Sequence, residues 1–156
     1  MNGQVKPIPE GYHTITPYLC VKDASGAIEF YKKAFSAIET ECMKEPSGKI
    51  AHADLIIGNS HVMLSDEYPD MGVLSPQSLG GTAVQLMVYV EDVDSMVTQA
   101  VAAGAKLVRE IEVQFYGDRA GQIEDPFGYR WFIATHIEDV SSEEMDRRMQ
   151  QMGTEA

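Results

Sequence analysis

Residues 86–105, LMVYVEDVDSMVTQAVAAGA, repeat the plan of residues 18–37, YLCVKDASGAIEFYKKAFSA. In both, an extended apolar run leads into an aspartate, Asp23 or Asp92, and these two lie 69 positions apart. Apolar residues at helical spacing follow: Ala27, Ile28, Tyr31, Ala34 and Phe35 in the first copy, Met96, Val97, Ala100 and Val101 in the second. An aspartate at that junction is an N-cap, because its carboxylate accepts hydrogen bonds from first-turn amides that have no partner inside the helix. Each copy therefore predicts a strand followed by a helix.

Beyond the helices, both halves read as strands punctuated by turn formers. In the first half these are SAIETECMKE, a turn at Pro46 to Gly48, KIAHADLII, the Gly58 and Asn59 turn, and HVMLS. In the second they are AKLVREIEVQ, RAGQIED, a turn around Pro126 to Gly128, and YRWFIATH. Here the offset grows to 70, which superposes Gly58 on Gly128, His52 on Gln122, Asp54 on Glu124 and His61 on Trp131. Residues 66–81, rich in Pro, Gly and Ser, read as a joining loop. The tail SSEEMDRRMQQM carries helix-start residues and sets Met145, Met149 and Met152 on one helical stripe, as a docking helix would. The expected class is α+β: one domain over 1–140 built from two βαβββ modules, 12–66 and 82–137, with curved mixed sheets, then a C-terminal helix and tail over 141–156.

Composition narrows the function. The 156 residues are 44% apolar, enough for an ordinary interior, and no apolar run approaches the length of a bilayer span. The first residues lack an apolar signal core, and Cys20 and Cys42 form no CxxC pair, so a cytoplasmic protein with two buried thiols is expected. A net charge of -12 opposes binding to a phosphate backbone, so nucleic acid is not an expected partner, and without a spanning run neither is a membrane. Nucleophile elbows, phosphate-cradling loops, HExxH and dinucleotide fingerprints are all missing.

The segments TPYLCVKDASGAIEFYKKAF, HADLIIGNSHVMLSDE and YGDRAGQIEDPFGYRWFIATHIEDVS resemble the vicinal oxygen chelate superfamily of glyoxalases, bleomycin resistance proteins and dioxygenases, in particular its PhnB-like branch. The resemblance runs from Tyr12 to Val140. It implies two curved sheets that each partly enclose a cavity, and a homodimer. It also implies a divalent metal held by His, Glu or Gln from the first and last strands of each module. Carried over by position, those ligand sites fall on Thr16, Val62, Gln85 and Phe132, of which Gln85 alone is able to coordinate. The expectation is no cofactor and no metal at the standard site, with a divalent ion confined to a non-standard one involving His52, His61, Asp54, Glu124 or Gln122.

The resemblance implies that Gln85 faces the cavity; strand alternation then assigns Met87 and Tyr89 to the same face, matched by Thr16, Tyr18 and Cys20, with Leu86 and Val88 beneath the helices. The expected polar contacts to a ligand are His52, Gln85, Tyr116, Arg119 and Gln122, Arg119 because a guanidinium fork suits a carboxylate or phosphonate oxygen pair. Two of these have a plainer structural reading: His52 as a hydrogen-bonding or solvated residue, and Arg119 with Asp118 as turn stabilisers. His61 is expected to be exposed beside its turn. Asp125 is expected to brace the EDPFG turn, Phe127 and Phe132 to be core, and Glu124 is a weak candidate for moving a proton. Two functions remain: a small-molecule-binding protein of the glyoxalase and bleomycin resistance type, or a metal-dependent lyase, isomerase or dioxygenase with a relocated site. Whether the chain is an enzyme stays open on sequence alone.

Overall fold

The computed structural model describes residues 3–154. In chain order it contains β1 (Tyr18–Val21), α1 (Ala24–Phe35), β2 (Ile38–Lys44), β3 (Ile50–Ile57), β4 (Ser60–Asp66), a short helix α2 (Pro76–Leu79), β5 (Leu86–Tyr89), α3 (Val93–Ala103), β6 (Lys106–Val113), β7 (Asp118–Glu124), β8 (Arg130–His136) and α4 (Ser142–Thr154). Two four-stranded mixed sheets result, ordered β1-β4-β3-β2 and β5-β8-β7-β6. In each, the first strand runs parallel to the last and the remaining pairings are antiparallel. The expected βαβββ modules and C-terminal helix are therefore present. The chain divides into one compact unit of residues 1–83 with 126–128, and another of residues 84–125 with 129–156.

The same local chemistry starts both long helices. Asp23 accepts from the Gly26 amide at 2.9 Å, and Asp92 from the Ser95 amide at 3.0 Å. A second anchor comes from the end of the last strand. Asp66 accepts from the Ala24 amide, and Thr135, 69 positions later, accepts from the Val93 amide at 2.9 Å while donating to the Val90 carbonyl. Helix α1 buries all five apolar residues of its predicted stripe, and the sheet of its unit contributes Leu19, Val21, Leu55 and Leu64 to the core. Side chains of that kind are worth about 1.5–3 kcal/mol each when fully buried. In α3, Val97 and Ala100 are buried but Val101 is exposed, so the second helix covers less.

Several expectations change. The joining segment is more structured than a loop. It forms a short 3-10 helix (Pro69–Met71) and α2, and Glu67 accepts from the Ser75 amide at 2.7 Å. Cys42 is exposed and Cys20 half-buried, because Cys42 lies on β2, an edge strand exposed along its whole length. Helix α4 buries none of its residues, and Met149 and Met152 are each 57% exposed. It is held by charge instead: Arg148 donates to the Phe115 carbonyl at 3.0 Å and pairs with Glu138 at 2.7 Å. Among the described residues no helix is long and apolar enough to cross a membrane.

Candidate functional site

Pairing in the second unit decides which side chains share its open face. Met87 lies beside Phe132 and Phe132 opposite Gln122; Tyr89 lies beside Ala134 and Ala134 opposite Ala120. Gln85 directly precedes β5, and its Oε1 accepts from Gln122 Nε2 at 2.7 Å, with Gln122 only 2% exposed. Two of the predicted contacts are thus brought together. Tyr116 lines a cavity of about 410 Å³ along with Gln114, Ala120 and Phe132. Phe132, expected in the core, is instead part of that wall.

Arg119 does not join them. It occupies an odd position of β7, on the opposite face from Gln122, and its Nε and Nη2 donate to the two carboxylate oxygens of Asp94, both at 2.8 Å. The fork binds a carboxylate as its chemistry predicts, but the carboxylate belongs to the first turn of α3. Glu124 pairs with Arg130 at 3.1 Å.

In the first unit, the Tyr18 hydroxyl and His52 Nδ1 are hydrogen-bonded at 2.7 Å. Nearby, Asp54 is 1% exposed and gathers two donors: the Tyr12 hydroxyl bonds one carboxylate oxygen and His61 Nδ1 bonds the other at 2.9 Å. The Tyr12 ring stacks on the His61 ring, centroids 3.7 Å apart, and hydrogen bonding to Asp54, reinforced by desolvation, pushes the Tyr12 pKa up to about 12. His61 is therefore half-buried, not exposed, because a buried carboxylate must find donors. Tyr12 also walls a cavity of about 440 Å³ with His13, Thr14, Thr16 and Met63.

The second unit carries a cluster of the same composition. Asp118, 2% exposed, accepts from the Tyr89 hydroxyl at 2.9 Å and from His136 Nδ1 at 2.7 Å. Its hydrogen bond raises the Tyr89 pKa above the ordinary phenol value. His136 Nε2 meets Asp139 at 2.8 Å, and hydrogen bonding to Asp139 and then to Asp118 raises the His136 pKa. A folded-state pKa above the unfolded one means that the stabilisation by His136 is complete below the unfolded value, about 6.5, and fades as pH rises through the folded value. The stability difference between the wild type and His136→Gln should therefore be larger at about pH 6 than at about pH 9 in urea unfolding. An equal difference at both would refute it.

The strand registers also correct the internal alignment. Tyr18 pairs with Met63 where Met87 pairs with Phe132, so the counterpart of Phe132 is Met63, not Val62. Asp54 lies opposite Met63 as Gln122 lies opposite Phe132, so the counterpart of Gln122 is Asp54, not His52. The cause is loop length. The β3–β4 hairpin closes at Ile57 and Ser60 around two residues, whereas β7–β8 closes at Glu124 and Arg130 around a longer turn, so matching glycines does not match registers. Val62 is buried, on the strand face opposite Met63.

At the positions that the family resemblance marks for a divalent metal, the corrected side chains are Thr16, Met63, Gln85 and Phe132. A hydroxyl, a thioether, an amide already engaged by Gln122 and a phenyl ring do not fit a hard or borderline cation. Among the described residues, no group of three or more His, Cys, Asp or Glu is placed to hold a metal ion.

Comparison with known proteins places these observations. The model of the glyoxalase/bleomycin resistance protein/dioxygenase superfamily matches residues 11–133. An uncharacterised protein of Mycobacterium tuberculosis is 41% identical over 142 residues, covering 89% of this chain and 84% of the relative. The crystal structure of an Arabidopsis thaliana gene product superposes with a TM-score of 0.64 at 27% identity, covering 78% of this chain and 98% of that one. The fold also matches a Bacillus cereus PhnB protein, described as a putative 3-demethylubiquinone-9 3-methyltransferase, with a TM-score of 0.62 at 18% identity over 79% of this chain and 99% of that one. A Listeria monocytogenes fosfomycin resistance protein, crystallised with manganese(II) and dihydroxypropylphosphonic acid, matches with a TM-score of 0.60 at 17% identity, covering 86% and 94%.

Proposed function

Because the chain belongs to the glyoxalase/bleomycin resistance protein/dioxygenase superfamily, we propose that it is a small-molecule-binding protein of that type, working without the family's standard metal site. The observation that carries this reading is the donor set. Thr16, Met63, Gln85 and Phe132 offer poor coordination, yet each unit has a cavity of ligand size with aromatic and polar groups in its wall, charged ones included in the second unit. In the second unit Tyr116 contacts the ligand from the cavity wall, with the Gln85–Gln122 pair as further polar contacts on the sheet face that carries Phe132; in the first, the proposed contact is His52, bonded to Tyr18. Arg119 is not among the contacts, since its fork is filled by Asp94.

Protein purified without chelator should carry clearly less than one equivalent of Zn, Ni, Mn or Fe. A metabolite and antibiotic library screened by thermal shift should yield hits. A ligand at 100 times its dissociation constant adds about 2.7 kcal/mol of apparent stability, which Gln85→Ala and Tyr116→Ala should reduce. Stoichiometric metal, or hits that neither substitution weakens, would sink the assignment.

One observation favours a second reading, an enzyme. Asp54 fixes His61 through Nδ1, the orientation that leaves a ring nitrogen for proton transfer, as in a general base. Turnover of a screened compound that disappears in His61→Gln would move the assignment there. The proposed assembly is a homodimer in the cytoplasm. The exposed Tyr18, Met87 and Tyr89 on the open faces are the kind of surface that a second copy covers. Light scattering at micromolar concentration should give about twice the 17.2 kDa chain mass, and a monomer mass would refute the dimer.

A further inference from the structure

The cavity of the second unit carries charged groups as well as aromatic and amide ones. Arg109, Glu110 and Glu112 line it beside Gln114, Tyr116 and Phe132. Residues 109 and 112 are three apart, so an unbroken strand would turn their side chains to opposite faces. Strand β6 is not unbroken: its register against β7 shifts between Leu107 and Arg109 and again between Arg109 and Glu112. The second shift sets Arg109 opposite Gln122 and Glu112 opposite Ala120, two residues of the same open face. Irregularities of this kind re-aim side chains at the edges of sheets.

The charges thus gathered are not spent on each other. Among the described residues, Arg119, Arg130, Arg147 and Arg148 each form an ion pair with a carboxylate, and Arg109 alone of the five arginines forms none. Glu110 and Glu112 also lack an ion-pair partner, although both share a cavity wall with Arg109. The floor between these groups is apolar and aromatic, from Ala120, Phe132 and Tyr116.

We infer that this cavity binds a zwitterion with an apolar body, of the amino acid or short peptide class. Its carboxylate lies on the Arg109 fork, its ammonium group between Glu110 and Glu112, and its body against Phe132 and Tyr116. A guanidinium pairs with a carboxylate through two parallel hydrogen bonds, and the two glutamates exclude a purely anionic ligand by repulsion. This inference rests on the small-molecule-binding reading and names the ligand class of that site.

A charge series on one skeleton tests it. The probes are the dipeptide phenylalanylphenylalanine, its N-acetyl form, its C-terminal amide and the form blocked at both ends, titrated calorimetrically into the full chain. The free dipeptide should bind about tenfold or more tightly than either singly blocked form, with the doubly blocked form weakest. In Arg109→Ala the free acid and the amide should bind equally. In the double variant Glu110→Gln and Glu112→Gln, the free amine and the acetylated form should bind equally. Equal binding of all four probes, no binding of any, or an unchanged series in both variants would overturn the zwitterion and leave Arg109 and its neighbours as solvated surface charge only. If those outcomes occur while library ligands still bind through Gln85 and Tyr116, the binding function stands and only its ligand class falls. If no library ligand binds either, the binding function falls with it.

Discussion

Trp131→Ala lowers the unfolding free energy by about 3–5 kcal/mol, the range for removing a large aromatic side chain from a core. Trp131 is 2% exposed, pairs with Ile123 across β7–β8 and lies beside Leu86 of β5. Its loss empties the space under α3 that these three side chains share. A second penalty follows, since the indole Nε1 donates to Asp125 at 2.9 Å and the buried carboxylate loses one of its donors. Asp125 keeps the Tyr129 amide at 3.0 Å, so the turn persists while the core weakens. Trp131→Phe should cost clearly less, because most of the ring volume remains. The chain has a single tryptophan, so unfolding must be followed by circular dichroism. At about 2–4 °C per kcal/mol for a chain of this size, Trp131→Ala should lower Tm by roughly 6–20 °C. A fall of a degree or two would show that the site collapses around the gap, or that the residue is less enclosed than described.

The second large effect belongs to Asp66. One of its carboxylate oxygens accepts from the Ala24 amide at 2.8 Å and the other from the Ile50 amide at 2.7 Å, and both donors are buried. The side chain thus ties the start of α1 to the start of β3, and its charge favours the positive end of the helix. Asp66→Ala strands two buried N–H groups, each costing about 1–3 kcal/mol, so a loss of about 2–6 kcal/mol is expected. Asp66→Asn retains one acceptor oxygen and should fall between the two. Thr135, which holds the matching amide in the second repeat, is a neutral partner to a single N–H, and Thr135→Val should cost less than Asp66→Ala. The reverse order in urea unfolding would show that the carboxylate tie is not what anchors the first helix.

Much of the architecture was legible in the chain because its causes are local. Asp23 and Asp92 cap the helices that follow them, and alternation separates Leu19 and Val21, buried, from Tyr18, exposed. Gln85, from its family position, and Gln122, from its place just before the EDPFG turn, were both expected as polar contacts, and they bond to each other. The bracing of the EDPFG turn by Asp125 also follows from residues within a few positions.

Other features depended on which residues meet across strands, and sequence spacing does not encode that. Matching Gly58 to Gly128 slid the second hairpin out of register, since a two-residue turn and a longer one bring different partners opposite each other. Alternation alone turns Arg119 away from Gln122, three positions on; what the chain does not announce is Asp94, 25 positions away, whose carboxylate fills the Arg119 fork. Tyr12, Asp54 and His61 come from an N-terminal segment and two strands, and the demand of one buried carboxylate for donors assembles them. Capping, turn and alternation chemistry act over a few residues and are written in the chain itself. Register, the pairing of buried charge and the open faces they create arise when distant segments exclude water together, so only the tertiary structure decides them.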